Sequence, residues 1–145
     1  MKKDNEFETL QQEDDNSQIK SLKVLIVDDV VLDSMYLAKM VLPKMEGIVC
    51  KQILFAENGI EAVKTYQQNP DIDLILMNIQ MPKMDGYEAT RQIRYFNKEV
   101  IIMAQTETAL EYVRDKVKEA GCNDYIRKPI QETLLLELII KHINK

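Results

Sequence analysis

Five residues of this chain, Asp28, Asp29, Asn78, Thr106 and Lys128, are of types and in places that could do chemistry together. Asp28 and Asp29 are adjacent acids that follow the apolar run KVLIV. Two like charges side by side repel, and burial raises the free energy of each. A divalent cation relieves both problems. Oxygen-only ligands with open positions for water suit Mg²⁺. The pair has a plain structural alternative, as a helix cap and first-turn acids favoured by the helix dipole. Lys128 brings one positive charge on a flexible stem, suited to a phosphate or a carboxylate. Thr106 brings one hydroxyl donor. A threonine that ends a strand and a lysine beside a proline are each commonplace, so their weight rests on whether the fold brings them to one place.

The elements that would position them are short apolar runs alternating with amphipathic segments. Lys23 to Asp28, Ile53 to Glu57, Asp73 to Asn78, Glu99 to Thr106 and Asp124 to Arg127 read as strands. Their continuous apolar character suits burial on both faces. Helices are predicted from Val31 to about Met45 and over 59–69, 86–97, 109–121 and 131–144. In the first, Val31, Met35, Met40 and Val41 would line one face, with Pro43 in or just after the last turn; in the second, Ile60, Val63 and Tyr66 would do so. Asn69-Pro70 stops the second helix and Gly121 caps the fourth. Strand followed by helix, five times over, predicts an α/β fold. Its form would be a flavodoxin-like three-layer sandwich with five helices around a five-stranded parallel sheet of order 2-1-3-4-5. Sites in such sheets form at the carboxyl ends of the strands, where all five residues would fall.

Composition limits what else the chain can be. Its 145 residues suit one domain, with residues 1–20 a polar, acid-rich tail or linker and 21–145 the folded unit. Phe7 and Leu10 could form one helical turn within that tail. Hydrophobic residues at 46% indicate a globular core rather than disorder. A net charge of −5 disfavours a nucleic-acid surface, which needs a basic field. No apolar run reaches the roughly 18 residues of a membrane span, and no signal peptide is visible. Cys50 and Cys122 have no metal-like spacing and are expected to be reduced thiols, in keeping with a cytoplasmic location. His142, near the end of the last helix, is expected to be solvated or favoured there by the helix dipole. Neither G-x-G-x-x-G nor a P-loop is present.

The segments VLIVDD, LILMNIQMPKMDG, IIMAQT and GCNDYIRKPI resemble the signature runs of the two-component receiver domain, from about Lys23 to Ile143. IIMAQT with the later GCNDY is most similar to receivers attached to hybrid histidine kinases. The resemblance implies that Asp28, Asp29 and the backbone carbonyl of Gln80 hold Mg²⁺, with Asn78 in the phospho-acceptor position. It further implies that Thr106 bonds and Lys128 pairs with a bound phosphoryl group. Tyr125 would be the switch aromatic and Lys128-Pro129 a cis peptide. The implied partner is a histidine kinase or a histidine phosphotransfer domain.

Three residues depart from the family pattern. A carboxamide at Asn78 is a poor nucleophile and removes one negative charge from the metal shell, so phosphoryl acceptance should fail and Mg²⁺ should bind more weakly. Such a chain is either a natural pseudo-receiver or an engineered form of an active one. Glu107 stands where a small residue is usual, and either reaches over the pocket towards Lys128 or points to solvent. Val30 is apolar where a polar residue is common, and is expected only to pack the helix. Two other functions use the same fold: a metal-dependent phosphohydrolase, which would also need an acidic nucleophile in place of Asn78, and a scaffold that binds no Mg²⁺.

Overall fold

The computed structural model describes residues 19–144. Strand β1 spans Lys20–Val27, β2 Ile48–Ala56, β3 Leu74–Asn78, β4 Ile101–Thr106 and β5 Asp124–Arg127. Helix α1 (Val31–Tyr36) runs on through a π turn, Leu37–Val41, into a 3₁₀ turn, Leu42–Lys44. Helices α2 (Gly59–Gln68), α3 (Gly86–Phe96), α4 (Leu110–Ala120) and α5 (Glu132–Ile143) follow their strands. All strand pairs are parallel, in the order β2-β1-β3-β4-β5. The predicted fold and strand order are those observed. The tail, with Phe7 and Leu10, lies outside the described residues.

The alternation of side chains along β1 divides the core into two layers. Val24 and Ile26 face Leu37 and Val41 of the first helical stretch and Leu135 and Ile139 of α5. Leu25 and Val27 face Ala62, Val63 and Tyr66 of α2 and Ala89 and Ile93 of α3. Two helix starts are fixed by side chains that accept from orphan backbone N–H groups. Asn58 Oδ1 accepts from the Glu61 N–H at 2.9 Å, and Asp85 Oδ1 accepts from the Glu88 N–H at 2.9 Å. Gly121 ends α4 at φ 109°, a left-handed conformation that suits glycine. Gly86 is needed for space, because a Cβ there would collide with the carbonyl oxygen of Asn78. That glycine lets α3 start directly against the end of β3.

Several local expectations are corrected. β1 starts at Lys20 and β2 at Ile48, because Lys20 to Leu22 pair with Ile48 to Cys50 before a register shift at Leu22/Lys23. The early part of β2 lies at the sheet edge, and exposed Lys51 and Gln52 divide its short apolar run, Ile48 to Cys50, from Ile53 to Ala56, so the two did not read as one strand. On the first helix, Val31, Met35 and Met40 are exposed, and the buried stripe is Ser34, Leu37 and Val41. That helix is apolar nearly all round, so periodicity could not choose its buried face. Ile60 is exposed, and Ala62 is buried with Val63 and Tyr66. Val30 is 43% exposed and packs no core. His142 is not solvated: its side chain is 7% exposed, and Nε2 lies 2.9 Å from Asp124 Oδ2.

Cys122 packs on the Leu25 and Val27 side of the sheet beside Thr90, with Sγ 3.7 Å from its hydroxyl. Burial pushes its thiol up to about 11 from an ordinary 9.0. The fold therefore favours the protonated thiol. The unfolded chain releases that proton first, so the stabilisation present below pH 9 is lost as the pH rises towards 11. Urea unfolding at pH 8 and pH 10.5 should show the chain losing on the order of 2 kcal/mol more stability than Cys122→Ala over that interval. Equal losses in the two proteins would mean that Cys122 ionises as freely folded as unfolded.

Candidate functional site

The carboxyl ends of β1, β3 and β4, with the residue that follows β5, bring the five residues onto one rim. A cleft of about 150 Å³ there is lined by Asp29, Val30, Asn78, Gln80, Thr106, Glu107 and Lys128. Asp28 lies beneath it and is 1% exposed. Such a carboxylate must be compensated. Its Oδ1 accepts from the Val30 N–H at 2.9 Å and its Oδ2 takes the Lys128 ammonium at 2.6 Å. Burial nevertheless pushes the Asp28 carboxyl above the usual carboxylate range, against the opposing pull of Lys128 and the Val30 N–H. Burial would lower the Lys128 ammonium, but its bonds to Asp28 and Asp33 outweigh that and leave it raised. The lysine therefore remains a cation at neutral pH.

Asn78 bridges the acid pair and the loop after β3. Its Nδ2 lies 3.3 Å from Asp28 Oδ1, 3.1 Å from Asp29 Oδ1 and 3.0 Å from the Gln80 carbonyl oxygen. The amide must present its nitrogen here, because its own oxygen would repel three acceptors. With two N–H groups for three oxygens, it can satisfy two of them well at any moment. Two carboxylates and one carbonyl that converge on a point form a hard-oxygen set, of the kind that suits Mg²⁺. In this chain the amide nitrogen stands at that point of convergence.

Thr106 is 3% exposed, and its Oγ1 accepts from the Thr108 N–H at 3.0 Å, which leaves the hydroxyl proton free for another acceptor. The Lys128 N–H donates to the Thr106 carbonyl at 2.8 Å, so backbone bonding links the two residues. The Lys128-Pro129 peptide is cis. Tyr125 is half-buried against Ile79, Ala104 and Val117, and its hydroxyl accepts from Arg114 Nε at 3.2 Å. Glu107 lines the cleft, but among the described residues its carboxylate forms no ion pair, and its carbonyl accepts from Arg127 Nε at 3.4 Å.

Lys128 instead has a second partner that the sequence did not point to: Asp33 Oδ2, at 2.9 Å. Asp33 lies in the first turn of α1, four residues along the chain from Asp29, at the helix end that faces the rim. That spacing was the available signal. Gln105 was also missed. It is fully buried one residue before Thr106, and among the described residues neither side-chain polar atom has a hydrogen-bond partner.

Comparison with known proteins agrees with this geometry. A family model described as the response regulator receiver domain matches residues 24–140. Hybrid signal transduction histidine kinase G of Dictyostelium discoideum is 43% identical over 115 residues, which cover 77% of this chain and 3% of that protein. Hybrid kinase B of the same organism is 34% identical over 136 residues and is covered over 7% of its length. The chain thus spans a small part of these kinases. It matches the chemotaxis protein CheY of Bacillus subtilis at 34% identity over 123 residues, 84% of this chain and 98% of that protein. Among solved structures, the receiver domain of a Pseudomonas aeruginosa sensor histidine kinase, with a magnesium ion coordinated in its active-site cleft, is similar at TM-score 0.74. It is 30% identical, and the match covers 87% of this chain and all of that one. The parallel sheet, the rim at its strand ends and the family match over residues 24–140 place this chain in the response regulator receiver domain family of two-component signalling.

Proposed function

We propose that this chain is a receiver that docks on a histidine kinase or histidine phosphotransfer domain but, as it stands, accepts no phosphoryl group. The observation that carries this proposal is the placement of the Asn78 amide nitrogen within 3.0–3.3 Å of three oxygens. A carboxamide there offers a neutral oxygen of low nucleophilicity in place of a carboxylate. It also offers the two carboxylates and the Gln80 carbonyl part of what a cation would give them. Asp28, Asp29 and the Gln80 carbonyl are the groups that would hold Mg²⁺. The ion would supply charge neutralisation for phosphoryl transfer. The amide must give way first, so Mg²⁺ binds weakly.

The remaining roles follow from placement. Thr106 has a free hydroxyl proton at the cleft and would bond a phosphoryl oxygen. Lys128 would turn from the carboxylates to the same group. Tyr125, half-buried beside Ala104 and held by Arg114, would report the movement of Thr106 on the α4–β5–α5 face. Glu107, at the mouth, would add negative charge in the path of an anionic donor. Asp33 has the stronger hold on the lysine itself.

Incubation with Mg²⁺ and acetyl phosphate should leave the intact mass of the chain unchanged. Asn78→Asp should gain one phosphoryl group: a carboxylate oxygen bonds to phosphorus as the bond to acetate breaks. A hydroxylamine-labile adduct on the unaltered chain, or none on the variant, would overturn the proposal. In the Asn78→Asp background, Asp33→Asn should speed phosphorylation, because it frees Lys128 of its second partner and removes a charge from the rim. A gain of about fivefold corresponds to about 1 kcal/mol in the barrier. Glu107→Ala should have the smaller effect, and the reverse order would assign the restraint to Glu107.

A further inference from the structure

A second and larger cavity, of about 440 Å³, opens between α1 and the segment after β5, behind Lys128. That volume is within the range of small-molecule sites. Tyr36, Leu37, Pro129 and Ile130 give it apolar walls, and Gln105 contributes to its lining from β4. Gln105 follows Met103 by two residues and so faces the same side of the sheet, towards α1 and α5. Its neighbours on that face are Leu76, Met103 and Ile126, with Asn78 directly across on β3, and the Asn78 amide nitrogen is turned to Asp28, Asp29 and the Gln80 carbonyl rather than to Gln105. Among the described residues neither Nε2 nor Oε1 of Gln105 has a partner, although the side chain is fully buried. Burying a carboxamide with neither group bonded is unfavourable, and an apolar residue of the same shape would avoid the penalty. A polar floor beneath apolar walls is what a site for an amphipathic ligand requires.

From these features we infer that the cavity is a binding site for a small, neutral, planar molecule that carries an amide or lactam edge. A primary carboxamide presents one donor and one acceptor side by side, and a second amide edge complements both with two parallel hydrogen bonds. The walls would take the apolar body of the ligand. Its neutrality follows from the cavity's interior, where Tyr36, Leu37, Gln105, Pro129 and Ile130 offer no charge to pair with an ion, while Asp33 and Glu107 at the mouth oppose an anion. This inference does not depend on the state of Asn78. The Asp33–Lys128 ion pair lies between cavity and rim, so an occupant would rest against the ammonium that also faces Asp28.

The test is an NMR titration of the full chain with benzamide and with acetophenone, which has the same shape but a methyl group in place of the amide NH₂. Benzamide should give saturable shifts at the Gln105 side-chain amide, Leu37 and Ile130, and should bind about fivefold more tightly than acetophenone, as one lost hydrogen bond implies. Gln105→Met should abolish that preference. Tyr36→Ala, at a half-exposed wall position that the fold does not need, should weaken both compounds alike. Absence of saturable shifts at the cavity, a preference that survives Gln105→Met, or affinities unchanged in Tyr36→Ala would each overturn the proposal.

Discussion

Asp28 reaches the end of β1 with its carboxylate sealed from solvent, and the rim is organised around that charge. A buried carboxylate without partners is strongly destabilising, by roughly 3 to 5 kcal/mol where one member of an ion pair is lost. Three elements bring compensation to it: the Val30 N–H from the start of α1, the Asn78 amide from β3 and the Lys128 ammonium from beyond β5. None could do so without the strand order. β1 and β3 are neighbours at the centre of the sheet, and β4–β5 pairing carries Lys128 back to the same end. Gly86 contributes from behind, since any side chain there would displace the Asn78 backbone.

Around this anchor the rim holds Asp28, Asp29 and Asp33, with Glu107 at the cleft mouth, against the Lys128 ammonium. An aspartate at residue 78 would add a further acid and leave the convergent oxygens with no donor between them. Asparagine supplies N–H groups at that position and takes one charge away. On the proposed reading, asparagine rather than aspartate at residue 78 leaves no carboxylate nucleophile there and lessens the repulsion that would recruit a cation. Lys128, with no acceptor carboxylate at residue 78, pairs with Asp33 as well as Asp28. On that reading a receiver with asparagine at this position is an easier fold to maintain and a poorer acceptor, two consequences of one amide.

Much of this was legible in the sequence, for identifiable reasons. Continuous β-branched and leucine-rich runs mark strands buried on both faces, and β5 fell at Asp124–Arg127 as expected. Once strands alternate with helices, right-handed crossovers bring all strand ends to one side, so the meeting of Asp28, Asp29, Asn78, Thr106 and Lys128 could be expected from their positions. Side-chain choices among competing partners were not legible. Lys128 could have met Glu107 or Asp33, and only the path of α1 decides for Asp33. The buried face of that helix was ambiguous because Val31, Leu32, Met35 and Met40 are as apolar as Leu37 and Val41. Gln105 looked like an ordinary member of IIMAQT, and its unpartnered amide is a property of what surrounds it. His142 was expected to be solvated or favoured by the helix dipole; it does lie in the last turn of α5, but its burial against Asp124, 18 residues away in sequence, was not legible.

The central claim is that the Asn78 amide takes the place of a cation among Asp28, Asp29 and the Gln80 carbonyl. Thermal unfolding of the chain and of Asn78→Asp, each without and with saturating Mg²⁺, tests it most directly. Ligand linkage raises stability by roughly 2.7 kcal/mol when Mg²⁺ is at a hundred times its Kd. The account predicts that the chain melts at nearly the same temperature with and without the ion. It also predicts that Asn78→Asp melts lower without Mg²⁺ and recovers with it. A chain stabilised by Mg²⁺ as strongly as Asn78→Asp, or a variant no less stable in its absence, would contradict the account.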